Sequence, residues 1–329
     1  MNHRPALYEL ADRHQLSPAQ TRALFTLADL DAPPRQLQVR FWQVTALLAA
    51  GLGGFGLIMW VAANWDSLGR MGKFGLLQGW VALTALAAWR VAALRTPMGL
   101  LCLLGIGALF AYFGQTYQTG ADAWQLFALW ALLALPLCLG VRSDVVWLPW
   151  VVVACSGISL WTYTHTDHRW RADGSDLPIH LVGWALGALI VTLLSPWAQR
   201  WTGGASSARR LALLAMVVSI TLAAVAGLFS EHGMAHYLLG LAVLGTAAVV
   251  LLQPRWFDIF GLSAVVLSLD ALLVGGWVRL MFNDSSAGDL IGRLLLTGLV
   301  AAGLLAASVA LIMRRHKQVQ AGTPAGASA

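Results

Sequence analysis

Residues 211–230 read LALLAMVVSITLAAVAGLFS, twenty consecutive positions without a charged side chain. A bilayer core about 30 Å thick is crossed by roughly 20 residues of helix, and inside it the backbone must satisfy its own hydrogen bonds. Arg209-Arg210 precedes the run and Glu231-His232 follows it. The stretch therefore reads as a transmembrane helix, bounded by charge at both ends. Working outward, ten segments share its character: 44–63, 74–94, 98–117, 124–141, 146–163, 179–197, 211–230, 236–252, 258–279 and 291–313. Segments 236–252 and 258–279 are separated only by Gln253-Pro254-Arg255-Trp256-Phe257, a short link that still allows a tight helical hairpin. The expected fold is all-α, a polytopic transmembrane bundle of about ten spans.

Composition points the same way. Of 329 residues, 58% are hydrophobic and 11% charged. Soluble domains carry about 25% charged residues, so the charges here are too few to cover a water-soluble fold of this length. Several spans are bracketed by Trp, including Trp42, Trp65, Trp89, Trp124, Trp147, Trp197 and Trp256, as an interfacial aromatic belt predicts. The net charge of +6 is no nucleic-acid signature, because no Lys/Arg cluster is interleaved with aromatics. The positive residues fall in short loops instead. With the N-terminus inside, 15 of the 21 Lys and Arg lie on the inner side and six on the outer. That asymmetry predicts a cytoplasmic-membrane protein with both termini in the cytoplasm. The bilayer is its expected surroundings and nucleic acid is not an expected partner.

Three segments follow. Residues 1–40 form an amphipathic cytoplasmic helical hairpin, in which Ser17-Pro18-Ala19-Gln20 supplies an N-cap, a Pro at the first helical position and a Gln closing a capping box. This hairpin is a candidate docking surface for a protein partner, against the simpler reading that it packs on the inner membrane face. Residues 41–313 hold the spans. The last residues, 314–329, are expected to be a disordered cytoplasmic tail, rich in Ala, Gly, Pro, Ser and Thr from 318 onward. No cleavable leader is expected, since the first long apolar run starts only near Phe41. Cys102, Cys138 and Cys155 all sit in apolar runs without a CxxC pair and read as small core residues.

Two stretches are more distinctive. Trp60-Val61-Ala62-Ala63-Asn64-Trp65-Asp66 closes the first span, with Gly72-Lys73-Phe74 opening the second. Gly114-Gln115-Thr116-Tyr117-Gln118 ends the third, followed by Asp122, Trp130-Ala131-Leu132 and Pro136. With the hairpin before them, they resemble the domain of unknown function 2157 family of predicted bacterial membrane proteins, over about residues 5–140. The resemblance implies a membrane location and a multi-span fold. It brings no activity, substrate, cofactor or catalytic residue.

Function is constrained by a few polar residues. Asp270 lies twelve residues into a 22-residue span, near mid-depth, where an ionised Asp costs about 2.5–3.5 kcal/mol even on insertion scales. It is a candidate proton or ion site, or a protonated or hydrogen-bonded Asp satisfied by Ser263, Ser268 or a neighbouring helix. Asn64, Asp66, Gln115, Tyr117, Gln118 and Asp122 cluster at the outer ends of the first and third spans and form a candidate polar pocket. The competing reading is helix-end capping and interhelical hydrogen bonding. His165, Asp167 and His168 share one outer loop, while His232 and His236 at i, i+4 could face a metal ion from one side of a helix. Loop histidines are more often simply solvated. No Walker loop, dinucleotide fingerprint or nucleophile elbow is present, so neither an enzyme nor a cofactor is expected. The first reading is a small-solute transporter or permease, which Asp270 could couple to protons; the alternative is a non-transport scaffold, sensor or assembly factor acting through the hairpin. The five-plus-five division of the spans, with Gly105, Gly107 and Gly114 in one third span and Gly240 and Gly245 in the other, hints at an inverted repeat.

Overall fold

The computed structural model describes residues 4–27, 35–64, 67–117, 120, 122–166, 172–253, 256–282 and 290–321. Among them every regular element is a helix. Contacts divide the chain into two units, Met1–Phe55 and Gly56–Ala329.

The first unit opens with α1 (Arg4–Arg13) and α2 (Pro18–Leu27). The expected capping box forms between them. The Ser17 amide donates to Gln20 Oε1 at 3.0 Å and the Gln20 amide to Ser17 Oγ at 3.4 Å. Pro18 then sits where its missing N–H costs nothing. Tyr8 packs on Phe25 with ring centroids 4.8 Å apart, and Ala11 is buried. Leu27 remains exposed. α3 (Arg35–Ala63) follows, starting well before the apolar run that marked its span.

The second unit continues with α4 (Arg70–Arg90), α5 (Arg95–Tyr117), α6 (Ala123–Val141), α7 (Asp144–His165), α8 (Leu177–Leu193) and a single turn, α9 (Gln199–Thr202). It closes with α10 (Ser206–Leu228), α11 (Met234–Leu251), α12 (Ile259–Phe282) and α13 (Leu290–Ala321). All ten expected segments are helical, and the 236–279 stretch is indeed two helices. Eight helices among the described residues are long and apolar enough to cross a membrane, namely α5 to α8 and α10 to α13. The other two are more polar or shorter. Lys73 and Gln78 interrupt α4, and the apolar part of α3 is Val44–Trp60.

Two ends differ from expectation. α8 stops at Leu193, because Ser195-Pro196 cannot continue it, and 3-10 and α turns through Thr202 lead to α10. α13 continues to Ala321 rather than giving way to a tail at 314. There the Arg315 Nε donates to the Leu252 carbonyl at 2.8 Å, and the His316 ring stacks on Phe257. Arg315 thereby satisfies one of the orphan carbonyls at the end of α11.

Packing is organised around α7 and α10. Helices α5, α6 and α7 contact one another in all three pairs, and so do α10, α11 and α12. α10 also packs on α7 and α8, which joins the two trios. The recurring trios are the third to fifth and the seventh to ninth segments, a shift of four rather than the five an inverted repeat requires. The glycines act as contact points, not breaks. α5 is continuous, with Gly107 pressed against the Trp130 indole and Gly105 against Trp80. On α8, Gly183 faces Thr162 of α7 and Gly187 faces Met216 of α10, a small-residue spacing that lets three helices approach closely.

Trp147 also departs from expectation. It is fully buried, its Nε1 donating to the Thr202 carbonyl at 3.0 Å, and it meets Trp150 edge-on at 5.2 Å. Trp89, Trp197 and Trp256 are exposed, as belt residues should be.

Candidate functional site

Among the described residues, the buried polar and charged side chains are few: Lys73, Thr84, Asp176, Ser195, Thr202, His236 and Asp270. Each costs free energy unless it is paired, so these positions are where function is sought first.

Asp270 lies on α12 at the seam with α13. Its Oδ1 accepts from Ser308 Oγ at 2.9 Å, while Oδ2 is buried without a hydrogen-bond partner among the described residues. The carboxyl thus ties two helices together. Ser308 is the partner, not the Ser263 or Ser268 of its own helix. Ser263 instead donates back to the Ile259 carbonyl. The relevant residue, 38 positions away, carries no spacing signal that a sequence could show.

Of the expected pocket at the ends of the first and third spans, Asn64, Asp122 and Tyr117 have local partners. Asn64 ends α3, its Nδ2 donating to the Trp60 carbonyl at 2.9 Å and its own carbonyl accepting from Ser67 Oγ. Asp122 precedes α6 and accepts from the Trp124 indole at 3.3 Å. Gln115 is exposed. Tyr117 joins Phe74 and Phe113, at 5.9 and 4.8 Å between centroids, beneath the Arg70 guanidinium at 5.7 Å. Tyr112 also packs on Phe74 and donates to the Arg70 carbonyl at 3.4 Å. This aromatic and cationic cluster joins the α4 and α5 ends, and the sequence reading missed Arg70, Phe74 and Phe113 as its members. Asp66 and Gln118 lie outside the described residues.

The histidines rearrange most. α11 starts at Met234, so His232 precedes the helix, is exposed and shares no helix face with His236. Gly233 sets this start, wedged against the Ala172 carbonyl and Gly227. His236 is fully buried, with neither ring nitrogen hydrogen-bonded among the described residues. It faces His180 of α8, ring centroids 5.0 Å apart and nearly perpendicular. His180 Nδ1 lies 3.0 Å from the Asp176 carbonyl. Asp176 is itself buried and closes a capping box with Asp173 at the start of α8. His165, at the end of α7, sits apart on Trp161 and Trp124 with its Nδ1 on the Trp161 carbonyl. Asp167 and His168 lie outside the described residues. Among the described residues no three His, Cys, Asp or Glu side chains converge to hold a metal ion.

At the opposite helix ends the contacts are structural. Asp144 accepts from the backbone amides of Ser207 and Ala208, both at 2.9 Å, and Asp258 pairs with Arg209 and Arg210 at 3.5 and 3.4 Å.

No curated protein and no solved structure matches the chain. One family model does, described as Predicted membrane protein (DUF2157), and its match runs from α1 through the bundle to the first turn of α7. Residues 8–147 of this chain are thus similar to that family of predicted membrane proteins.

Proposed function

We propose that the protein is a non-enzymatic membrane scaffold, sensor or assembly factor, set in the cytoplasmic membrane with both termini inside. The observation that carries this reading is the position of Asp270, whose carboxyl closes the α12–α13 seam through Ser308. A coupling carboxylate in a permease lines a solute path. A carboxyl that bridges two helices is a structural tie, of the kind that stabilises membrane bundles by about 0.6 kcal/mol. The family match supports the same reading, because it includes the α1–α2 hairpin along with the following spans. The hairpin is then part of the working unit, and a protein partner is its proposed ligand.

A second reading keeps a proton-coupled small-solute permease. Its support is Asp270 Oδ2, a mid-span carboxyl oxygen buried with no hydrogen-bond partner among the described residues.

Complementation of a host strain lacking the gene separates the two. Under the scaffold reading, Asp270→Asn restores the phenotype, while deletion of residues 1–35 fails although membrane abundance is normal. The reverse pattern supports the permease and rejects the scaffold.

A further inference from the structure

We propose that His180 and His236 form a binding site for a divalent transition-metal ion of the zinc or copper class, where α8 and α11 begin. Imidazole nitrogen suits both metals, and water completes a shell that the protein fills only in part.

Three observations converge there. The first is orientation. A carbonyl oxygen only accepts, so the 3.0 Å contact to the Asp176 carbonyl places the His180 proton on Nδ1. Nε2 is left with its lone pair, as in metal-ligating histidines whose other nitrogen is held by a backbone carbonyl. The second is the unfilled valence of His236. Its ring is fully buried, both nitrogens are unpartnered among the described residues, and it lies 5.0 Å from the His180 ring. A buried imidazole normally has a partner for each nitrogen. The third is position. Asp176, whose carbonyl holds the His180 ring, is itself buried at the start of α8. His180 is only half-buried and gives the ion its way in. His165 has the same Nδ1–carbonyl contact but faces Trp124 and Trp161 and no second imidazole, so it marks the control.

The test is titration of the full-length protein in detergent micelles with zinc ion, followed calorimetrically, and with cupric ion, followed by electron paramagnetic resonance. One site per chain is expected, with a nitrogen hyperfine pattern from two imidazoles. His180→Gln should weaken zinc binding by about tenfold or more and reduce the pattern to one nitrogen. His180→Cys should restore binding through a thiolate, and His165→Gln and His232→Gln should leave it unchanged. His236→Gln removes the buried ligand. If that variant does not fold, the half-buried His180 variants carry the test alone. Unchanged binding in His180→Gln, or no zinc binding by the wild type at about 100 μM, overturns the proposal.

Discussion

Removing the Asp144 carboxyl should destabilise the bundle more than a typical surface substitution, because this side chain caps a helix to which it does not belong. Ala205, the residue before α10, offers no side-chain cap. The amides of Ser207 and Ala208 in the first turn have no intrahelical acceptor and instead meet the two Asp144 oxygens at 2.9 Å each. Loss of an N-cap costs about 1 kcal/mol and up to about 2, and loss of a negative charge at a helix N-terminus adds about 0.3–1 kcal/mol. Asp144→Ala should therefore cost about 2 kcal/mol. Asp144→Asn keeps one acceptor but not the charge, and should cost about 1 kcal/mol. The measurement is reversible unfolding in mixed micelles titrated with sodium dodecyl sulfate, followed by tryptophan fluorescence. The difference between the two variants should shrink as salt rises, since only the charge is screened. An Asp144→Ala protein within about 0.3 kcal/mol of wild type would refute the capping argument.

Other substitutions test other contacts by the same unfolding assay. Gly107→Ala drives a methyl into the Trp130 indole, whose Nε1 donates to the Leu103 carbonyl at 2.9 Å, and should cost about 1–3 kcal/mol. A double-mutant cycle on Asp270→Ala and Ser308→Ala should return a coupling of about 0.6 kcal/mol, and zero coupling would break the proposed helix tie. Arg315→Ala should cost about 1.5–3 kcal/mol by freeing the Leu252 carbonyl, whereas a neutral effect would mean that α13 is not held there.

The apolar runs announced the helices well, because a span has to be long and apolar wherever it lies and whatever it touches. Their ends were less visible. Proline stopped α8 early, and Arg315 carried α13 onward through a contact with a residue 63 positions away. The depth of Asp270 was readable for the same reason as the spans, but its Ser308 partner was not. The histidine pairing shows the limit most clearly. His232 and His236 stand four apart in sequence, yet the helix begins between them at Met234, and the neighbour that matters is His180 on another helix. Trp147 looked interfacial from its place at a segment edge. Only the return of the chain at Thr202 covers it.

The family boundary has a consequence for how such chains assemble. It ends at residue 147, yet the core that contains Trp147 and Val151 also contains Ile190, Leu194, Ala205, Ala208 and Ala212, all contributed after that point. The shared segment is therefore not a self-sufficient building block. Without α8 and α10, one flank of α7 has nothing to pack against. A shorter relative ending near this boundary would have to borrow an equivalent helix from another subunit.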